Sequence, residues 1–252
     1  MRIPAAACLL ALLALSCSVA AGAARAADER FLPLGAGAVW EYTLHRDHTY
    51  RAEQGHVDRT FREGRVLLEH VRALEGGVHE LRERRDEHPL GPGLPPSRER
   101  TLQRWSAAHG VTLHAFGPVG GELADFAPPL RMLPADPGRE RRWTVGAWRA
   151  GGVSGRLAGE LLGREDVVEG TLRFEDCLKV RYAGPIEGAI QVAGGLATLH
   201  EARLERLVWW KAGVGPVRET FTIEGGLRLP DGARARVHEV ATLRLARHEP
   251  PR

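Results

Sequence analysis

Eleven histidines, three cysteines and 32 carboxylates give this chain of 252 residues material for chemistry. Spacing decides how much of it can act together. His45-Arg46-Asp47-His48 carries two imidazoles three positions apart. On a helix both would share a side. On a strand, odd and even positions face opposite ways, and the two rings cannot hold one ion. No two histidines have the i, i+2 spacing of a strand-borne pair, and His56, His70 and His79 meet only if separate strands converge. The expectation is no metal site, and no cofactor motif of the Gly-x-Gly-x-x-Gly or Walker type occurs.

Nucleophiles are as sparse. Beyond the first 26 residues serine stands at Ser97, Ser106 and Ser154. Gly152-Val153-Ser154-Gly155 has the outline of a nucleophile elbow, but Arg156 replaces the second glycine and no strand–turn–helix pattern surrounds it. Glu165-Asp166 and Glu175-Asp176 are adjacent acids. On a strand each pair diverges to opposite faces, whereas glycoside hydrolysis needs two carboxyls across a cleft. Cys177 stands beside Glu175 and Asp176, which disfavour a thiolate, so a buried inert thiol is expected. No catalytic residue is assigned, and the reading is non-enzymatic.

The elements that position these residues are strands. Trp40, Tyr42 and Leu44 alternate with Glu41, Thr43 and His45, giving one apolar and one polar face. Val66–Leu74 and Val78–Arg84 flank Glu75-Gly76-Gly77, a hairpin signal. A second hairpin is expected at His109-Gly110 and a turn at Pro230-Asp231-Gly232. The last strand alternates through Val237, Glu239, Ala241, Leu243 and Leu245. His88–Ser97 and Gly117–Gly138 are rich in proline, which removes ladder donors, so they read as loops or edges. Leu196, Leu199, Ala202 and Leu207 also suit a helix face, and a short helix is entertained within Leu196–Trp210.

The N-terminus has a different character. Arg2, an apolar run from Ile3 to Leu15 and small residues from Ser16 to Ala24 have the anatomy of a secretory signal, with cleavage expected after Ala26. Ala14-Leu15-Ser16-Cys17 also resembles a lipobox, in which Cys17 would carry lipid and tether the protein to the outer membrane. Leu15 lies one place later than the preferred leucine, so plain secretion to the periplasm or beyond is the leading reading. Cleavage there leaves residues 27–250 as a single β-rich domain. It also leaves Cys177 as the lone cysteine, without an intramolecular partner. No later stretch is apolar enough for a spanning helix.

Loss of Arg2 and Arg25 takes the formal charge from +3 to +1. That is no electrostatic case for nucleic acid. The arginine clusters, such as Arg82-Glu83-Arg84-Arg85-Asp86-Glu87, alternate with acids and read as solvated faces.

Three segments resemble a set of uncharacterised exported bacterial proteins. They are Phe31-Leu32-Pro33-Leu34 through Gly37 to Trp40-Glu41-Tyr42; Leu133-Pro134 with Pro137-Gly138, Trp143 and Phe174-Glu175-Asp176-Cys177-Leu178-Lys179-Val180; and Trp209-Trp210-Lys211-Ala212-Gly213-Val214-Gly215-Pro216-Val217. The resemblance departs at Lys211-Ala212 and Pro216. It implies export and a curved antiparallel sheet, similar to the half-barrels of envelope lipid and lipoprotein carriers, and it supplies no catalytic residues.

The fold expected is therefore all-β, mostly antiparallel, a barrel or strongly curved half-barrel of about ten strands. Any concave face must be filled by a helix, loops or a ligand. Trp209 and Trp210 point to opposite faces if extended, one to the core and one toward an apolar groove, and they are the candidate ligand-binding residues. The function expected is binding of an apolar or amphipathic molecule, a lipid or lipidated partner. The alternatives are an interaction module of the periplasm or outer membrane without a small ligand, and a hydrolase whose residues converge only in three dimensions. Oligomeric state is open.

Overall fold

Two-residue periodicity is realised along most of the chain. The computed structural model describes residues 31–252, apart from 54, 56, 92–94, 193 and 194. The signal anatomy of residues 1–26, Cys17 within it, and His56 lie outside the described residues.

Strands β1 (Val39–Ala52), β2 (Val57–Ala73), β3 (Val78–Pro89), β4 (Ser97–Ser106), β5 (Val111–Pro118) and β6 (Ala124–Leu133) form one antiparallel meander. Strands β7 (Arg142–Ala150), β8 (Val153–Glu169), β9 (Leu172–Val192), β10 (Gly195–Lys211), β11 (Gly215–Arg228) and β12 (Arg234–Glu249) form a second. The β1–β12 ladder joins them into one 12-stranded sheet, in the order β6-β5-β4-β3-β2-β1-β12-β11-β10-β9-β8-β7. Its two edges, β6 and β7, approach each other, and the sheet is a nearly closed barrel.

The turns form where the glycines predict. Gly76 and Gly77 take φ of 68° and 72° between β2 and β3, and Gly110 takes 86° between β4 and β5. Side chains with a Cβ disfavour that region, so these positions mark the reversals. The proline-rich 117–138 stretch is the edge that its composition allows. It holds β6, with Pro128 and Pro129 in the strand, where missing N–H groups blunt the open edge. Side chains stitch the seam instead: Trp143 Nε1 donates to the Arg131 carbonyl at 2.9 Å and Tyr182 OH to the Met132 carbonyl at 2.8 Å.

The short helix entertained within Leu196–Trp210 is not formed; those residues belong to β10. The register shifts between Leu199 and Ala202, where Glu201 adopts φ of 50°. A bulge of this kind moves the inward parity by one residue. Leu199 and Ala202 are then both buried at a spacing of three, which imitates a helix face.

Twelve strands enclose more space than the eight that ordinary side chains fill. Large residues occupy it: Trp40, Trp105, Trp210, Tyr182, Phe221, Arg85 and Arg206 are all fully buried. Each large apolar side chain removed from water stabilises the fold by about 1.5–3 kcal/mol. The indole nitrogens of the three tryptophans are met internally: Trp40 Nε1 donates to the Val214 carbonyl at 3.2 Å, Trp105 Nε1 to Gln103 Oε1 at 2.8 Å and Trp210 Nε1 to Tyr182 OH at 3.1 Å. The anticipated concavity is thus filled by the protein's own side chains.

Candidate functional site: an ionic layer inside and arginine rows outside

The inward parity that begins at Trp40, Tyr42 and Leu44 continues to Arg46 and His48. On neighbouring strands the same face presents Arg62, Glu83, Arg85, Glu87, Gln103, Arg206, Glu219 and Glu239, all buried. Arg46 Nη2 donates to Glu87 Oε1 at 2.5 Å. Arg85 Nη2 and Gln103 Nε2 both donate to Glu83, at 3.0 and 2.8 Å, and Trp105 Nε1 donates to Gln103 Oε1 at 2.8 Å. His48 Nδ1 lies 3.0 Å from Glu239 Oε2. Farther round the barrel Arg206 grips Glu219 through two bonds of 2.7 Å.

Position sets the proton affinity of these groups. Burial pushes the Glu219 carboxyl up against the pull of Arg206. Burial lowers the Arg46 guanidinium, with Glu239 and Glu87 opposing. At Arg85 burial acts the same way, but Glu83, Glu87, Glu99 and Glu219 together outweigh it and the net direction is up. Glu99 is half-buried opposite Arg85 on the β3–β4 ladder, and burial raises its carboxyl despite Arg85 and Arg46. Several buried atoms of the layer, Arg85 Nε and Nη1, Arg46 Nε, Glu87 Oε2 and Glu239 Oε1, have no hydrogen-bond partner among the described residues. Charges converge here, but inside the wall and not in an open cleft where a substrate would reach them.

The histidines follow strand geometry. His45 faces outward to Glu63 at 3.2 Å while His48 faces Glu239. His70 and His79 do converge across β2 and β3, with Nε2 and Nδ1 at 3.1 Å, and burial lowers both. Among the described residues no group of three or more His, Cys, Asp or Glu is placed to hold a metal ion. Ser106 Oγ lies 2.8 Å from His114 Nε2, a contact invisible in the sequence because it spans the β4–β5 ladder. Among the described residues no carboxylate bonds that imidazole to orient it. Ser154 meets Glu187 at 3.4 Å on the surface. The acid pairs are held by cations: Glu165 by Lys179 at 3.2 Å, Asp166 by Arg173 at 2.9 Å, and Asp176 by Arg164. Cys177 is buried, and burial pushes its thiol up to about 11.

Trp209 and Trp210 do project to opposite sides, yet both are covered. Trp210 is in the core. Trp209 lies on the outer side, where Lys179 and Arg218 sit over its ring and its Nε1 donates to Glu165. The groove-facing surface anticipated for one of them is occupied by the chain's own charged side chains.

The outside of the barrel is built from ion pairs. Arg59 meets Asp47, Arg65 meets Glu41 at 3.2 Å, and Glu160 takes both Arg142 and Arg181. A strand-crossing barrel needs an outward apolar band about 25 Å tall. Charged residues stand on the outer face of β1, β2, β3, β4, β8 and β9 instead, and the exposed large apolar residues, such as Val57, Phe61, Leu90 and Val119, are interspersed among them. No helix of the described residues is long and apolar enough to cross a membrane.

No family model and no curated protein matches the chain. Among solved structures it is similar to an engineered protein described for asymmetric conductivity (10% identity, covering 81% of this chain and 99% of that one, TM-score 0.25). It is also similar to a triple mutant of the Rhodopseudomonas blastica porin, with 10% identity over 81% of this chain and 99% of that one and a TM-score of 0.26. No functional statement follows from likeness at this level.

Proposed function

We propose that this chain is an exported, non-enzymatic binding module of the bacterial envelope whose working surface is the outside of its barrel. The filled interior carries this reading. Long side chains and an ionic layer occupy the space that a carrier would give to an acyl chain. The expected apolar or amphipathic partner, a lipid or a lipidated protein, then has to be met on the outer wall. The charged exterior supports a barrel that works beside a membrane and not immersed in one. The secretory anatomy of residues 1–26 supports export, and plain secretion is favoured over lipidation at Cys17.

The interaction-module reading is favoured over a lumenal carrier by the same observation. The hydrolase reading draws on the Ser106–His114 contact alone. Native mass spectrometry of the protein purified from its own envelope tests the proposal. Removal of the first 26 residues and a bound envelope component that exchanges freely with solvent are expected. A mass that retains those residues, or a small molecule locked within the barrel, would overturn it.

A further inference from the structure

Along the outer face of β3 and β4 the cross-strand pairs run Glu80 with Arg104, Arg82 with Leu102, Arg84 with Arg100 and Asp86 with Arg98. The ends of this row are neutralised. Glu80 takes Arg72 at 3.1 Å and Arg104 at 3.6 Å, and Asp86 takes Arg98 at 3.5 Å. In the middle, Arg84 and Arg100 stand directly opposite each other. Among the described residues Arg84 pairs with Asp86 alone, at 3.8 Å, and shares it with Arg98. Arg100 and Arg82 make no ion pair among the described residues, although Glu69 faces Arg82 across the next ladder.

Like charges directly opposite on adjacent strands repel. At two other places on the sheet the chain sets a carboxylate of its own between neighbouring arginines. Arg218 faces Arg244 across β11 and β12, and Glu169 from the end of β8 sets one oxygen toward each. Arg142 and Arg181 flank Glu160 on β7, β8 and β9, and Glu160 binds both. Between Arg84 and Arg100 no described residue sets a carboxylate that meets both. Two guanidinium forks in this arrangement match the oxygens of a phosphate. The same concave surface also exposes Leu90 and Val119, at 58% and 43%.

We infer that the outer face of β2–β4 binds a phosphate-bearing amphiphile, its head between Arg84 and Arg100 and its apolar tail against Leu90 and Val119. Arg82 flanks the head and adds to its charge attraction. The inference rests on the reading of the outer wall as the working surface and names the chemistry of the partner.

Calorimetric titration of the mature chain tests it, with dodecyl phosphate below its micelle concentration, inorganic phosphate and dodecyl maltoside as probes. Dodecyl phosphate is expected to bind at one equivalent, at least about tenfold more tightly than inorganic phosphate, and more weakly as salt rises. R84Q/R100Q is expected to lose about tenfold or more in affinity with its melting temperature held or raised, because a repulsion is removed. R51Q/R236Q, which removes another facing arginine pair, is expected to bind as the parent does. Equal binding by R84Q/R100Q, or dodecyl maltoside binding as well as dodecyl phosphate, would overturn the inference. So would tighter binding of polyglutamate than of dodecyl phosphate. An envelope protein captured equally by parent and R84Q/R100Q would remove this site and leave the outer-wall reading standing. A ligand sealed inside the barrel would remove both.

Discussion

Arg206 and Arg65 each meet one glutamate, yet they do so in different solvents. Arg206 is 2% exposed and holds Glu219 through two bonds of 2.7 Å. Arg65 is 77% exposed and touches Glu41 at 3.2 Å. Outside, water replaces a lost partner, and the pair adds little. Inside, nothing replaces it. The lost partner leaves a desolvated charge whose cost far exceeds the worth of the intact pair. The interior arginines are therefore commitments of the fold, while the exterior ones are free to meet other molecules.

The largest expected effect comes from breaking the interior pair. Glu219→Ala removes the carboxylate that Arg206 holds through two bonds and is expected to cost about 3–5 kcal/mol in urea unfolding. The double change Arg206→Met with Glu219→Leu is expected to recover most of it, because two apolar groups leave no orphan charge. A cost for Glu219→Ala no larger than that of a surface pair would erase the contrast. Next comes Gly64, beside Glu87 on the β2–β3 ladder. A Cβ at Gly64 would stand 2.1 Å from the Asp86 carbonyl oxygen. Gly64→Ala is expected to cost about 1–3 kcal/mol by forcing those strands apart, read as a lowered urea midpoint.

Glu99 sharpens the contrast, because it lies between the two environments. Burial raises its carboxyl above the ordinary 4.5, so the folded state holds the proton more tightly than the unfolded chain does. Stability is then greatest with Glu99 protonated, and it falls as pH rises from 4.5 through the folded value. Glu99→Gln is expected to be more stable than the parent above that window and equal to it below. Denaturation midpoints measured across pH check the sign; a gain that grew toward acid would contradict it. The smallest effect belongs to the surface. Arg65→Gln is expected to change stability by about 0–1 kcal/mol, less at high salt, in the same urea assay.

Period two was enough to read most of the sheet, because half-buried strands must alternate. At β10 it left room for a short helix, because the Glu201 bulge turns a strand's spacing into a helix's. It also undervalued charge. Glu239 stands on the apolar parity between Val237 and Ala241, and that placement was the signal of a buried carboxylate. In Arg82-Glu83-Arg84-Arg85-Asp86-Glu87 the run read as one solvated face. Alternation instead buries Glu83, Arg85 and Glu87 and exposes Arg82 and Arg84, with Asp86 partly covered. The Ser106–His114 and His70–His79 contacts left no local trace, since each depends on the register of two strands.

The sequence by itself determined that this chain folds as strands, where they reverse, and which side chains share a face, because pleating and glycine geometry are local properties. Only the tertiary structure decided that the sheet curls until its edges approach, that the hollow is filled from within, and that Arg84 faces Arg100 while Arg218 and Arg244 share Glu169. Those outcomes depend on strand number and register, which bring together residues far apart in the chain.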